Sequence, residues 1–164
     1  YMTDLVAEII EDLRAAYPER KIDTRLEHED VILGDATELH SAVSNLVVNA
    51  LKYSGHDDLV TVEWKLDAGF PTLTVRDEGE GIKPQHIPRL TERFYRVDKS
   101  RSQATGGTGL GLAIVKHVAV SHNAELLIDS VYGQGSVFSM VFKPHQKGTQ
   151  VALQSPSTES PVPT

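Results

Sequence analysis

A chain of 164 residues, 40% hydrophobic and 24% charged, has the length and composition of one globular domain with a sizeable core. Its net charge of -7 argues against non-specific nucleic-acid binding, and the absence of cysteine excludes disulfides and thiolate metal sites. No apolar run reaches the roughly 20 residues of a membrane span. The helical pattern is already under way at Tyr1, which reads as a piece cut from something longer.

Leu5, Ile9, Leu13 and Ala16 recur at spacings of four and three, so residues 3–16 are expected to form an amphipathic helix that ends near Pro18. Residues 22–26 and 31–33 are short strand candidates. Gly34 then turns the chain, and Asp35 is placed to cap a helix, with Glu38 three residues on completing a capping box.

The helix expected over residues 36–53 has Leu39, Val43, Leu46, Val47 and Ala50 on its apolar face. At about 100° per residue, Asn45, Asn49, Lys52 and Tyr53 fall within about 80 to 100° of one another, beside that face. Two carboxamides, an ammonium and an aromatic ring therefore meet at the edge of the interior. A solvated helix face is the plainer explanation. Against it, asparagine competes for backbone hydrogen bonds in mid-helix, so two of them one turn apart need a reason. Carboxamide oxygens suit Mg²⁺, which also binds substrate phosphates, and Lys52 can meet a phosphate as a point charge.

Residues 59–66 alternate as a strand with Val60, Val62, Trp64 and Leu66 on one face, and residues 72–76 form its partner across a turn at 68–71. The second strand runs into D-E-G-E-G-I, residues 77–82. A carboxylate there, followed by Gly79 and Gly81, can accept from an exocyclic amine while the glycines leave room for a flat ring. An Asp-Gly surface turn is the commoner meaning of such a cluster. Beyond a short helix after Pro84, the chain to Thr105 lacks strong periodicity. It carries Arg89, Arg93, Arg96, Lys99 and Arg101 around the aromatic pair Phe94 and Tyr95, a composition that fits a functional lid or a charged loop. Arg93 and Arg96 are the residues expected to reach phosphates from it.

Residues 106–117, G-G-T-G-L-G-L-A-I-V-K-H, set Gly107, Gly109 and Gly111 at alternate positions before a helix whose apolar residues are Leu110, Ala113, Ile114 and Val118. Backbone N–H groups of such a loop and the helix start behind it can approach a phosphate. The Rossmann spacing fails, because its last glycine would fall on Leu112, and no Gly-Lys pair exists for a Walker loop. Residues 125–129 and 136–142 read as two strands joined by a turn with Gly133 and Gly135. Residues 146–164, rich in Ser, Thr and Pro, are expected to form a disordered tail.

Taken together, N-L-V-V-N-A-L-K-Y, D-E-G-E-G-I, E-R-F-Y-R and G-T-G-L-G-L stand in the order and with the separations of the four boxes of the sensor histidine kinase ATP-binding domain, which the chain resembles over nearly all of residues 1–144. Within that family it is similar to the phosphate-regulon sensor kinases, because L-T-E-R-F-Y-R-V-D-K-S-R-S places Thr91 where the wider family usually has an aromatic. The resemblance implies an α/β (α+β) sandwich, a mixed sheet with helices layered on one face, in the Bergerat-type ATP-binding fold. Residues 1–145 would form the domain, with a lid at about 83–108.

It further implies that ATP lies between the second helix and the lid and that Asn45 and Asn49 hold Mg²⁺. Lys52 and Arg93 would meet phosphates and Tyr53 would pack by the adenine. Asp77 would accept from the adenine amine, with Gly79, Gly81 and Ile82 beside the base. Gly107, Thr108, Gly109, Leu110, Gly111 and Leu112 would shape the triphosphate site, and Phe94 would contact the partner helices. In the family those helices form the dimer and carry the phosphoacceptor, which passes phosphate to a response regulator, and the domain sits on the cytoplasmic side of an inner-membrane-anchored sensor.

The family's acceptor box, His-Glu followed shortly by Thr-Pro, does not occur in these residues. His28 precedes Glu29, but Asp30 and Val31 follow, and none of the other histidines fits better. The chain reads as a donor domain, monomeric when isolated. The same fold serves topoisomerase, mismatch-repair and chaperone ATPases, which hydrolyse ATP with a glutamate of the N-terminal helix. Glu8 and Glu11 lie in such a helix, but Ser44 and Val48 stand where those enzymes place a glutamate before the asparagine.

Overall fold

The computed structural model describes residues 1–27, 32–93 and 111–143. The expectations for Val31, for Phe94, Arg96, Gly107, Thr108, Gly109 and Leu110, and for the tail at 146–164 lie outside those residues. The elements run α1 (Met2–Ala16), β1 (Lys21–Leu26), α2 (Ala36–Tyr53), β2 (Leu59–Asp67), β3 (Phe70–Asp77), a 3-10 helix (Pro84–Arg89), α3 (Gly111–Ser121), β4 (Ala124–Val131) and β5 (Gly135–Phe142). The five strands form one mixed sheet in the order β1-β2-β3-β5-β4, with β1 parallel to β2 and every other pair antiparallel.

One parity of the strands is apolar and buried: Val60, Val62 and Trp64 of β2, Leu73 and Val75 of β3, Phe138, Met140 and Phe142 of β5. Met2, Val6, Ile9 and Ile10 of α1, seven residues of α2, and Val115, Val118 and Ala119 of α3 complete the same core. Trp64 is fully buried and meets Phe142 edge-on, with centroids 5.8 Å apart. The opposite parity is polar. There the Glu63 carboxylate, 8% exposed, lies within 3.7 Å of Arg25, 3.9 Å of Lys65 and 4.0 Å of Arg76. Helices therefore cover one face, as the resemblance implied. Among the described residues no helix is long and apolar enough to cross a membrane.

Ala68 and Gly69 both have positive φ, 54° and 87°, so β2 and β3 are joined by a two-residue turn whose twist matches the strands. The turn is shorter than expected, since Phe70 and Pro71 already pair with Asp67 and Leu66. Pro71 is tolerated because the β5 ladder begins only at Thr72.

Three local expectations are corrected. Ile32 and Leu33 belong to no strand, and Leu33 is 90% exposed. The packed face of α3 is Leu112, Val115, Val118 and Ala119, while Ile114 is exposed. That helix is apolar on most sides, so spacing alone did not choose its face.

The third correction concerns the capping box, which is only half closed. Asp35 Oδ1 accepts from Glu38 N at 3.0 Å, but the Asp35 N–H goes to His122 Nε2 at 3.0 Å, and Glu38 turns to accept from Ser121 Oγ at 3.3 Å. His122 Nδ1 lies 2.8 Å from Val118 O, so the ring donates there and accepts from Asp35. The C-terminal end of α3 is thereby fastened to the start of α2. A Cβ at Gly34 would overlap the His122 ring.

Candidate functional site

The polar edge of α2 forms as the helical spacing dictates. Asn45, Asn49, Lys52 and Tyr53 are all half-buried along it. Asn45 Nδ2 donates to Ser41 O at 2.8 Å, one turn back, which orients the amide and leaves Oδ1 facing the start of α3. A Cβ at Gly111 would stand 3.0 Å from that oxygen, so a larger first residue of α3 would push the Asn45 amide aside by a few tenths of an ångström. Leu112, next along, is packed on the core.

The other end of α2 meets the Asp77 turn. A Cβ at Gly79 would overlap the Tyr53 carbonyl and come within 2.9 Å of Ser54 Cα. Asp77 itself is 6% exposed, and its Oδ1 accepts from Gly79 N at 2.9 Å. Burial raises its carboxyl above the ordinary range against the backbone N–H groups of Gly79 and Ser136, and the charge of Asp58 adds to the rise. Direct contacts thus join Tyr53, Gly79 and Asp77 in one group and Asn45 with Gly111 in another. The eight helical steps from Asn45 to Tyr53 separate the groups by about 12 Å along the helix axis. Arg93 is exposed at the end of the second described segment.

Several residues of this region were not singled out from sequence. Arg20 Nη1 donates to Leu51 O at 2.5 Å and Nη2 to Ser54 Oγ at 2.7 Å, and the Ser54 hydroxyl donates to Ala50 O at 2.7 Å. Carbonyls left over at the end of α2 are satisfied in this way. The β4–β5 hairpin backs the Asp77 turn. Gly133 N donates to Glu80 O at 2.5 Å, Ile82 N donates to Ser130 Oγ at 2.8 Å, and Lys83 Nζ lies 5.2 Å from the centroid of the Tyr132 ring. A Cβ at Gly81 would overlap the Val131 carbonyl, and one at Gly135 would overlap that of Asp77. A signal for this was present: Leu126 and Ile128 of β4, and Phe138 and Met140 of β5, share a parity that both strands break with serine, at Ser130 and Ser136, which pair with each other.

Residues 34–146 match the family described as histidine kinase-, DNA gyrase B-, and HSP90-like ATPase, which is more than half of the chain. Over 113 residues the chain is 55% identical to the phosphate regulon sensor protein PhoR of Pseudomonas aeruginosa, covering 69% of this chain and 26% of that protein. Over 111 residues it is 50% identical to the PhoR of Haemophilus influenzae, covering 68% and 26%. It therefore spans about a quarter of the length of these curated relatives. The solved mycobacterial sensor histidine kinase MprB superimposes with a TM-score of 0.74 at 30% identity, covering 86% of this chain and 93% of that one. Full-length ShkA in complex with AMPPNP gives 0.71 at 26% identity, covering 87% and 30%. The chain belongs to the histidine kinase-, DNA gyrase B- and HSP90-like ATPases, and within them it is a catalytic domain of the sensor histidine kinase type.

Proposed function

We propose that this chain binds Mg²⁺-ATP and donates the γ-phosphate to a histidine on a dimerisation segment of its parent kinase, from which the phosphate passes to a response regulator in phosphate-starvation signalling. The observation that carries this is the arrangement along α2, with a buried carboxylate and a glycine turn at one end and a carboxamide facing the start of α3 at the other. Its support from relatives is the likeness to the PhoR proteins and to ShkA, which was solved in complex with AMPPNP.

At the base end Asp77 accepts from the adenine amine, Gly79, Gly81 and Ile82 border the ring, and Tyr53 packs beside it. At the phosphate end Lys52, Arg93 and Arg96 meet the phosphates as charged donors, and residues 107–112 enclose them. The donor set fits a hard cation, because Asn45 Nδ2 is committed to Ser41 and its oxygen is left for a ligand. Asn45 and Asn49 would hold Mg²⁺, which when bound spreads the charge of the transferring group. In the transfer, the bond from the γ-phosphorus to the β,γ-bridging oxygen breaks and a phosphorus–nitrogen bond to the acceptor imidazole forms. ADP leaves, and the imidazole proton goes to a base of the acceptor segment. Phe94 contacts that segment.

The isolated chain is a monomer and the parent a homodimer, anchored in the inner membrane with this domain on the cytoplasmic side. The hydrolytic clamp reading has less support, because Ser44 and Val48 occupy the positions that would carry its glutamate. Calorimetric titration of the chain with a non-hydrolysable ATP analogue and Mg²⁺ tests the binding step. Saturable one-to-one binding is expected, and its absence would refute the proposal.

A further inference from the structure

We propose that Ser130, on the β4–β5 hairpin and outside the nucleotide motifs, is a positioning residue for the nucleotide base, a role that rests on the function proposed above. The turn from Asp77 to Lys83 is held between two bodies. On one side Gly79 abuts the end of α2. On the other side its links to the hairpin are mostly main chain: Gly133 N to Glu80 O, and Gly81 against the backbone of Val131 and Tyr132. Ser130 supplies the hydrogen-bonding side chain. Its Oγ accepts from Ile82 N at 2.8 Å, donates to Gly135 O at 3.1 Å and lies 2.9 Å from Ser136 Oγ.

A hydroxyl has one proton to give and two lone pairs to receive with. Donation to Gly135 therefore leaves acceptance from Ile82 N–H and from the Ser136 hydroxyl, and the group is saturated. Its orientation is set by the hairpin, and the hairpin in turn is set by β5, whose Gly135 sits on the Asp77 carbonyl. Ser130 thus transmits the position of the sheet to Ile82 and, one residue back, to Gly81, without touching the nucleotide. A half-buried serine at a parity otherwise filled by Leu126 and Ile128 gives up apolar burial for this link.

The test compares Ser130→Ala with Ser130→Thr in the whole chain, reading ADP affinity in the presence of Mg²⁺ by calorimetry and amide exchange residue by residue. In Ser130→Ala, which removes all three hydrogen bonds of the hydroxyl, the dissociation constant for ADP should rise about tenfold, the effect of losing the one to Ile82 N. The Ile82 amide should exchange at least about tenfold faster while Thr74 and Phe138, in the β3–β5 ladder, keep their protection. Threonine retains the hydroxyl and suits a strand, so it should restore both readings.

Unchanged affinity in the alanine variant would overturn the inference. So would loss of ladder protection together with affinity, which would mark a merely structural residue, or failure of threonine to restore either reading. Should the alanine variant not fold, the wild-type chain still decides, because an Ile82 amide exchanging at its intrinsic rate in the folded protein would refute the bond. Failure of the wild-type chain to bind ADP at all would instead strike the proposed function, and it is seen before any variant is measured.

Discussion

Gly79 sits directly against the main-chain carbonyl of Tyr53, so the Asp77 turn and the last turn of α2 approach as closely as two backbones can. The obstacle to a side chain here is steric and involves backbone, which cannot swing aside. Gly79→Ala should therefore cost about 1–3 kcal/mol of stability, lowering the melting temperature by roughly 3–10 °C, and should weaken ADP binding more than tenfold. Gly69→Ala is the control. A Cβ there meets nothing within 4 Å and only the positive φ of 87° is strained, so it should cost about 1 kcal/mol and leave ADP affinity unchanged. Thermal unfolding and calorimetry on both variants check the contrast.

Asp77→Asn should separate stability from function. Burial raises the folded-state pKa of Asp77 above the unfolded value of about 3.9. Its contribution to stability is therefore fully present below that unfolded value and is lost as pH rises through the raised folded value. Above the raised folded value the ionised, buried carboxylate is a cost that an amide removes. The variant should unfold at an equal or higher temperature than the parent chain at pH 7, with the gap closing as pH falls toward about 4, yet bind ADP at least tenfold more weakly, because an amide nitrogen can face the adenine amine. A variant less stable than the parent at pH 7 would contradict the burial argument, and unchanged ADP affinity would remove Asp77 from the base site.

His122→Ala should destabilise the chain by about 1–3 kcal/mol, because it removes an imidazole that is 5% exposed and frees the end of α3 from α2. Asp35→Ala, which removes only the bond to Glu38 N, should cost about 1 kcal/mol. Urea unfolding of the two single variants and the double variant measures whether cap and clamp act together, as their shared residue requires. Equal, additive losses would contradict the coupling.

What could be read from the residues is what local spacing encodes. The bounds of α2 follow from the Asp35 cap and a regular apolar stripe, and the expected range matched the helix. The edge carrying Asn45, Asn49, Lys52 and Tyr53, and the placing of Asp77 at a strand end, were legible for the same reason. The fastening contacts were not. Arg20 reaches Leu51, Ile82 reaches Ser130 and Asp35 reaches His122 across 31, 48 and 87 residues of sequence. No periodicity connects such partners, because each is chosen only when the sheet and helices have packed. The face of α3 was misjudged for a related reason: in Leu112, Ala113, Ile114, Val115 and Val118 the apolar residues nearly surround the helix, and only packing against α2 selects among them.

The central claim is that this chain is the donor in a phosphotransfer whose acceptor lies on another segment, and labelling with γ-³²P-ATP tests it most directly. Incubated alone with Mg²⁺, the chain should remain unlabelled. Mixed with a separately produced dimeric helical segment of its parent, it should label a histidine on that segment with acid-labile phosphate, slowly, because the tether that raises their effective concentration is lost. Asn49→Asp should abolish the labelling. Acid-labile phosphate on this chain alone would make one of its seven histidines an acceptor and contradict the account. Equally, a segment that stays unlabelled beside a chain shown to bind ATP would contradict the donor role.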